Sequence, residues 1–176
     1  MKKIATVLAV GLALSSAAAM ASDGTVYING ELTTNTCTIN GGNGDITVTL
    51  PVLSTSKLTA AGQVGGQAAF TMKLTACTGS TAHAYFESGA HITSDTNGKG
   101  VLKNTGAATN VAVQLMNNFG DVLDLNLDAS GQDPHSYTGN TASGSADVTY
   151  HARYLALGAT TAGLVTASST YFLNYN

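Results

Sequence analysis

The sequence predicts an all-β sandwich. Three observations carry that prediction: period-two alternation of apolar and polar residues in run after run, abundant Thr within those runs, and Gly- and Asn-rich stretches between them. Period two is the pattern of a strand with one buried face. Branched Thr suits the pleated surface better than a helix interior.

The runs follow in order. Val26 and Ile28 share one face, with Thr25, Tyr27 and Asn29 opposite. Ile46, Val48 and Leu50 alternate with Thr47 and Thr49, and Phe70, Met72 and Leu74 with Thr71, Lys73 and Thr75. Ala84 and Phe86 alternate with Tyr85 and Glu87. Val111, Val113 and Leu115 form another set, and Leu123, Leu125 and Leu127 the next. Val148, Tyr150, Ala152 and Tyr154 alternate with Thr149, His151 and Arg153, and Tyr171, Leu173 and Tyr175 close the series. Asn40 to Gly44, Ser88 to Gly100 and Asp128 to Gly144 read as turns, where Gly and Asn supply positive φ. Leu58-Thr-Ala-Ala is consistent with a short helical turn. About seven or eight short strands joined this way make a two-sheet sandwich, with a barrel as the alternative closure.

Composition narrows the function. A chain of 176 residues suits one domain. Hydrophobic residues are 44%, enough for a core, and charged residues only 10%. The formal net charge is −3, so no basic patch is available for nucleic acid. No apolar run long enough to span a bilayer follows the N-terminus.

Residues 1–21 read as a secretory signal. Lys2 and Lys3 precede an apolar stretch from Ile4 to Leu14, and Ala19-Met20-Ala21 supplies an A-x-A cleavage pattern. Cleavage after Ala21 makes Ser22 the first mature residue; cleavage after Ala19 is the alternative and leaves Met20 in phase with Gly24, Val26 and Ile28. Removing Lys2 and Lys3 leaves 7 − 2 = 5 basic residues against 10 acidic ones. Secretion places Cys37 and Cys77, the only cysteines, in an oxidising compartment, so a disulfide is expected. Its 40-residue spacing is worth about 4 kcal/mol in the chain-entropy account.

Catalytic and metal chemistry are not expected. His83, His91, His135 and His151 lack a ligand spacing, no CxxC or CxxH occurs, and Asp121, Asp124 and Asp128 do not form an EF-hand loop. There is no G-x-S-x-G, and the Gly-rich stretch at Asn40 to Gly44 lacks the Lys of a phosphate loop. Both ends of the mature chain are apolar and strand-competent. Either they pair within one sandwich, or they pair between chains by strand addition.

Several segments together resemble the chaperone–usher pilins, the major-subunit family of type 1 fimbriae. Gly24-Thr-Val-Tyr-Ile-Asn-Gly-Glu-Leu-Thr before Cys37 is similar to the pilin donor strand, and Leu74-Thr-Ala-Cys77 to the strand end carrying the second cysteine. Ala108-Thr-Asn-Val-Ala-Val-Gln-Leu115 resembles a central core strand, and Ala152-Arg-Tyr154 a recurrent tripeptide. Gly163 with penultimate Tyr175 matches the family's C-terminal signature.

The resemblance implies an immunoglobulin-like sandwich lacking its final strand, with a groove filled first by a periplasmic chaperone. At the outer-membrane usher, the next subunit's N-terminal extension replaces the chaperone. On this chain it implies residues 22–30 as the extension, with Gly24, Val26 and Ile28 inserting, and residues 31–176 as the pilin domain. Gly163, Tyr171, Leu173 and Tyr175 become the acceptor and chaperone edge, and Cys37 and Cys77 pin the first strand to the second. The expected function is a structural, non-enzymatic subunit of a cell-surface fimbria, exported through the periplasm and supporting adhesion. It needs no cofactor, and its partners are copies of itself or related pilins. A minor or adaptor pilin, or a monomeric secreted binding module, is the alternative; a two-domain tip adhesin needs roughly twice this length.

Overall fold

The structure, a computed structural model, describes Val26, Tyr27, Leu32, Thr34, residues 36–133 and residues 138–175. The chain divides into two units, residues 1–32 and 33–176. In the first, Val26, Tyr27 and Leu32 are exposed, and Val26 and Tyr27 belong to no strand. Gly24 and Ile28 lie outside the described residues, as do the signal segment and His135.

The second unit is all-β. Its strands are β1 (Thr38–Ile39), β2 (Val64–Thr75), β3 (Thr81–Phe86), β4 (Ile92–Ser94), β5 (Gly100–Lys103), β6 (Val111–Met116), β7 (Gly139–Asn140), β8 (Ser145–Ala156) and β9 (Tyr171–Tyr175). Six of them form one sheet, in the order β1-β2-β8-β6-β5-β4, and the other three form a second, β7-β3-β9. Every pairing is antiparallel. Between the sheets Met72, Leu74, Ala84, Phe86, Val113, Leu115, Val148 and Tyr150 make one buried core. The alternation read in the sequence is therefore the inward face of each long strand.

Tyr150 joins the two sheets. It is fully buried, its ring meets Phe86 edge-on at 5.2 Å, and its hydroxyl accepts the Ala84 N–H at 3.0 Å. Beside it the Gln132 carboxamide takes the Phe86 N–H at 2.9 Å and donates to the Phe86 carbonyl at 2.7 Å. Where β7 ends, side chains thus occupy the edge of β3 that no strand covers. Gly66 forms a bulge in β2, at a positive φ of 62°; a Cβ there would stand 2.7 Å from the Tyr154 ring.

Four expectations are corrected. Along 46–50, Ile46, Val48 and Leu50 turn toward the core in alternation, yet the segment pairs with no strand among the described residues. Leu123–Leu127 is not a strand either. Leu123 and Leu125 plug the core from turns, anchored where their N–H groups meet Leu115 O (3.0 Å) and Gly100 O (3.1 Å). The stretch Ser88 to Gly100, read as turn, contains β4 and the start of β5. The helical turn lies at Thr55–Lys57 rather than at Leu58, because Ser54 caps it through Oγ to the Ser56 N–H.

Candidate functional site

A groove of about 1520 Å3 opens between two segments outside the sheets, residues 44–54 and 160–170, with Thr55 and Tyr171 at its margins. The first wall alternates: Ile46, Val48 and Leu50 pack against the core while Asp45, Thr47 and Thr49 face outward. From Ile46 to Leu53 no backbone N–H or C=O has a hydrogen-bond partner among the described residues. An extended backbone in that state is a strand awaiting a neighbour or dependent on water.

The second wall has one satisfied edge. The Leu164 carbonyl accepts Ala108 N–H at 3.0 Å, the Thr166 carbonyl accepts Thr105 N–H at 2.8 Å, and the Thr170 carbonyl accepts Glu87 N–H at 2.9 Å. Asn104 Oδ1 takes both the Thr166 and Gly106 N–H groups at 2.8 Å, fastening this wall to the β5–β6 turn. Backbone groups alternate direction along an extended chain. Leu164, Thr166 and Thr170 therefore face the β5–β6 turn and the residue after β3, while the backbone groups of Val165, Ala167 and Ser169 have no backbone partner among the described residues. The side chains of Val165, Ala167 and Tyr171 pack against the core.

Gly163 makes the close approach possible: a Cβ there would lie 2.5 Å from Ala108 N and 2.8 Å from Ala107 C. A Cβ on the facing Gly106 would overlap the Leu164 carbonyl.

The walls run antiparallel and are tied at both ends. At one end Tyr171 Oη donates to the Gly44 carbonyl; at the other, Thr160 N and Oγ1 both donate to Leu58 O, at 3.1 and 2.9 Å. Burial, with Asp45 nearby, pushes the Tyr171 phenol above its ordinary pKa of 10.0, so it remains the donor at neutral pH. Phe70, Met72, Phe86, Leu102, Val113 and Leu115 form the floor. Among the described residues Asp45 is the only charged side chain on the lining. Apolar floor and unpaired polar edges on both sides describe a slot for one more strand.

The structure places the sequence-predicted residues unevenly. Gly163 and Tyr171 border the groove. Leu173 and Tyr175 lie further along β9, outside the lining, and pack against the same core. Tyr175 Oη accepts the Cys37 N–H at 3.0 Å. Cys37 and Cys77 are bonded, S–S 2.07 Å, beside the β1–β2 pairing. The sequence reading did not single out the first wall or the Val165–Ser169 stretch. The signal was present in both: Ile46, Val48 and Leu50 alternate, and Val165 and Ala167 are in phase with Tyr171, Leu173 and Tyr175.

Comparison with known proteins agrees with the architecture. Residues 25–176 match the fimbrial protein family. The major fimbrial subunit SMF-1 of Stenotrophomonas maltophilia is 38% identical, across 94% of this chain and 99% of that one. The F17 fimbrial protein of Escherichia coli is 35% identical, across 99% of both chains. Among solved structures, the P pilus rod subunit PapA superposes with a TM-score of 0.59, covering 80% of this chain and 99% of that one. At 17% identity that likeness speaks for the immunoglobulin-like pilin fold alone. With two thirds of the chain and more covered by such relatives, a sandwich left open along one side of its core finds its place: this chain belongs to the fimbrial protein family, as a structural pilin subunit.

Proposed function

We propose that the groove accepts an extended strand from another polypeptide, and that in the fibre this strand is the N-terminal segment of the next copy or of a related pilin. The observation that carries the reading is the contrast between two edges. Where β3 lacks a strand, Tyr150 and Gln132 fill its hydrogen bonds from within the molecule. Around the groove, nothing among the described residues does so from Ile46 to Leu53. The walls from Val165 to Tyr171 extend about 20 Å, the span of a strand of about seven residues.

The proposed guest has the matching pattern. Gly24, Val26 and Ile28 alternate on one face, and Val26 is 85% exposed. Seating each of Val26 and Ile28 on an apolar floor is worth about 1.5–3 kcal/mol. The backbone supplies the rest by serving both open edges. Gly163, Tyr171, Leu173 and Tyr175 form the acceptor edge in this reading, with Ile46–Leu53 as its opposite side. Before assembly a periplasmic chaperone lends the strand, and exchange at an outer-membrane usher delivers the subunit to the cell surface, where the fibre supports adhesion. Each contact is head-to-tail, so it extends rather than closes.

The test is Ile28→Asp together with deletion of residues 22–29. A charge in an apolar slot loses hydration without gaining a partner. Both variants are expected to abolish fibres seen by electron microscopy while folded subunit still co-purifies with its chaperone. Normal fibres from the Ile28→Asp chain would sink the donor assignment. Loss of folded subunit in both would place Val26 and Ile28 inside the monomer's own sandwich.

A further inference from the structure

The outer face of the six-stranded sheet carries a separate depression of about 270 Å3. Arg153 of β8 and Gln114 of β6 stand opposite each other there. Arg153 Nε and Nη2 both donate to Gln114 Oε1, at 2.8 and 2.6 Å. Gln114 is 4% exposed, and burial draws the Arg153 guanidinium pKa below its ordinary value. The β4–β5 turn forms the rim. In that turn Asp95 Oδ1 accepts the Asn97 and Lys99 N–H groups at 2.7 and 2.9 Å, which fixes Lys99 beside the depression.

The charge pattern is unbalanced. A guanidinium carries five N–H donors, and Gln114 engages two of its nitrogens through one shared oxygen. Among the described residues the only ion pair is Lys73–Asp147, so neither Arg153 nor Lys99 has a carboxylate in contact. Among the described residues Asp95 is the sole acid on the lining, and its Oδ1 is committed to the turn. A partly desolvated cation with spare donors is costly until an anion pairs with it. The planar fork of Arg matches a carboxylate in two-point geometry.

The geometry points to a carboxylate-binding site at Arg153, Gln114 and Lys99, filled in the fibre by an acidic side chain of another copy. From Ser22 onward each copy carries 10 acidic and 5 basic residues, so subunits in contact offer carboxylates in excess of partners. The small volume admits a side chain or a small organic acid. The choice of another copy as source rests on the fibre reading above; the site itself does not.

Arg153 is the chain's only arginine, so its Nε–H gives a single side-chain resonance. Purified folded protein labelled with 15N is titrated with sodium acetate and, at matched ionic strength, with sodium chloride. A saturable shift with acetate alone is expected, and Lys99→Gln should weaken it several-fold without unfolding the chain. In a second arm, fibres mixed from 14N and 15N subunits are treated with a carbodiimide. An amide joining Lys99 to an Asp or Glu of the other isotope supports the inter-subunit source. A saturable acetate shift without that link keeps the site and overturns its fibre source. Neither shift nor link overturns the site. If no fibre forms, the fibre reading fails, while the acetate arm still decides the site.

Discussion

Gly163→Ala is expected to pry the second wall from the sandwich. The added Cβ would sit 2.5 Å from Ala108 N and 2.8 Å from Ala107 C, both backbone atoms with no rotamer to escape into. Relief requires the wall to move outward. That movement breaks the bond from Ala108 N–H to Leu164 O (3.0 Å) and strains the one from Thr105 N–H to Thr166 O (2.8 Å). At about 1 kcal/mol each, the loss is about 2 kcal/mol. For a chain of this size that lowers the melting temperature by about 4–8 °C. Gly106→Ala attacks the same joint from the facing side and should do likewise. Gly158→Ala is the control: its Cβ would meet only the Asn110 side chain at 3.5 Å, an ordinary contact, so its effect should stay within about 0.5 kcal/mol. Circular-dichroism melts of the three variants give the answer. A Gly163→Ala protein that melts with its parent would refute the close-approach argument.

Other substitutions probe other parts of the frame. Cys37→Ser frees a 40-residue loop and should cost about 4 kcal/mol, read as a lower urea midpoint and as reduced yield of folded subunit. Tyr150→Phe removes the acceptor for the buried Ala84 N–H and should cost about 1–3 kcal/mol in urea unfolding, with the ring packing on Phe86 retained. Burial holds the His83 pKa below its ordinary 6.5, against the opposing pull of Asp133. Below that ordinary value the unfolded chain takes up a proton that the folded one resists. Stability from this group is therefore present above pH 6.5 and declines as pH falls toward the depressed value. His83→Gln should narrow the difference in urea midpoint between about pH 8 and about pH 5; an unchanged difference would assign the acid sensitivity elsewhere.

β2 and β8 were legible because mainly one face of each is buried under alternating apolar residues, while β6, buried on both faces, showed the same alternation because polar Gln114 interrupts its second face. What alternation reports is burial of a face, and it carries no information on whether the edges are paired. Ile46, Val48 and Leu50 have the pattern of a strand because they face the core, yet their ladder has no second member among the described residues. Leu123 and Leu125 deceive in the opposite way, burying alternate side chains from turns fixed by backbone bonds to Leu115 and Gly100. The β4–β5 hairpin was hidden because Gly, Asn and Asp dominate its turn and its strands are short. Gly163 was visible only as part of a resemblance; its physical reason, backbone against backbone at Ala107 and Ala108, depends on partners more than fifty residues away in sequence.

The antiparallel course of the two groove walls, pinned at Gly44–Tyr171 and Leu58–Thr160, makes the opening a reader of direction. Any chain laid between them is parallel to one wall and antiparallel to the other, and turning the guest around exchanges the two. Slanted parallel bonds and perpendicular antiparallel bonds are not equivalent in strength. Each orientation makes one pairing of each kind and differs from the other only in which wall receives the stronger one. The groove therefore discriminates backbone direction only as far as its two walls differ, the 46–53 side being bare of backbone partners among the described residues and the 164–170 side already bonded along its far edge.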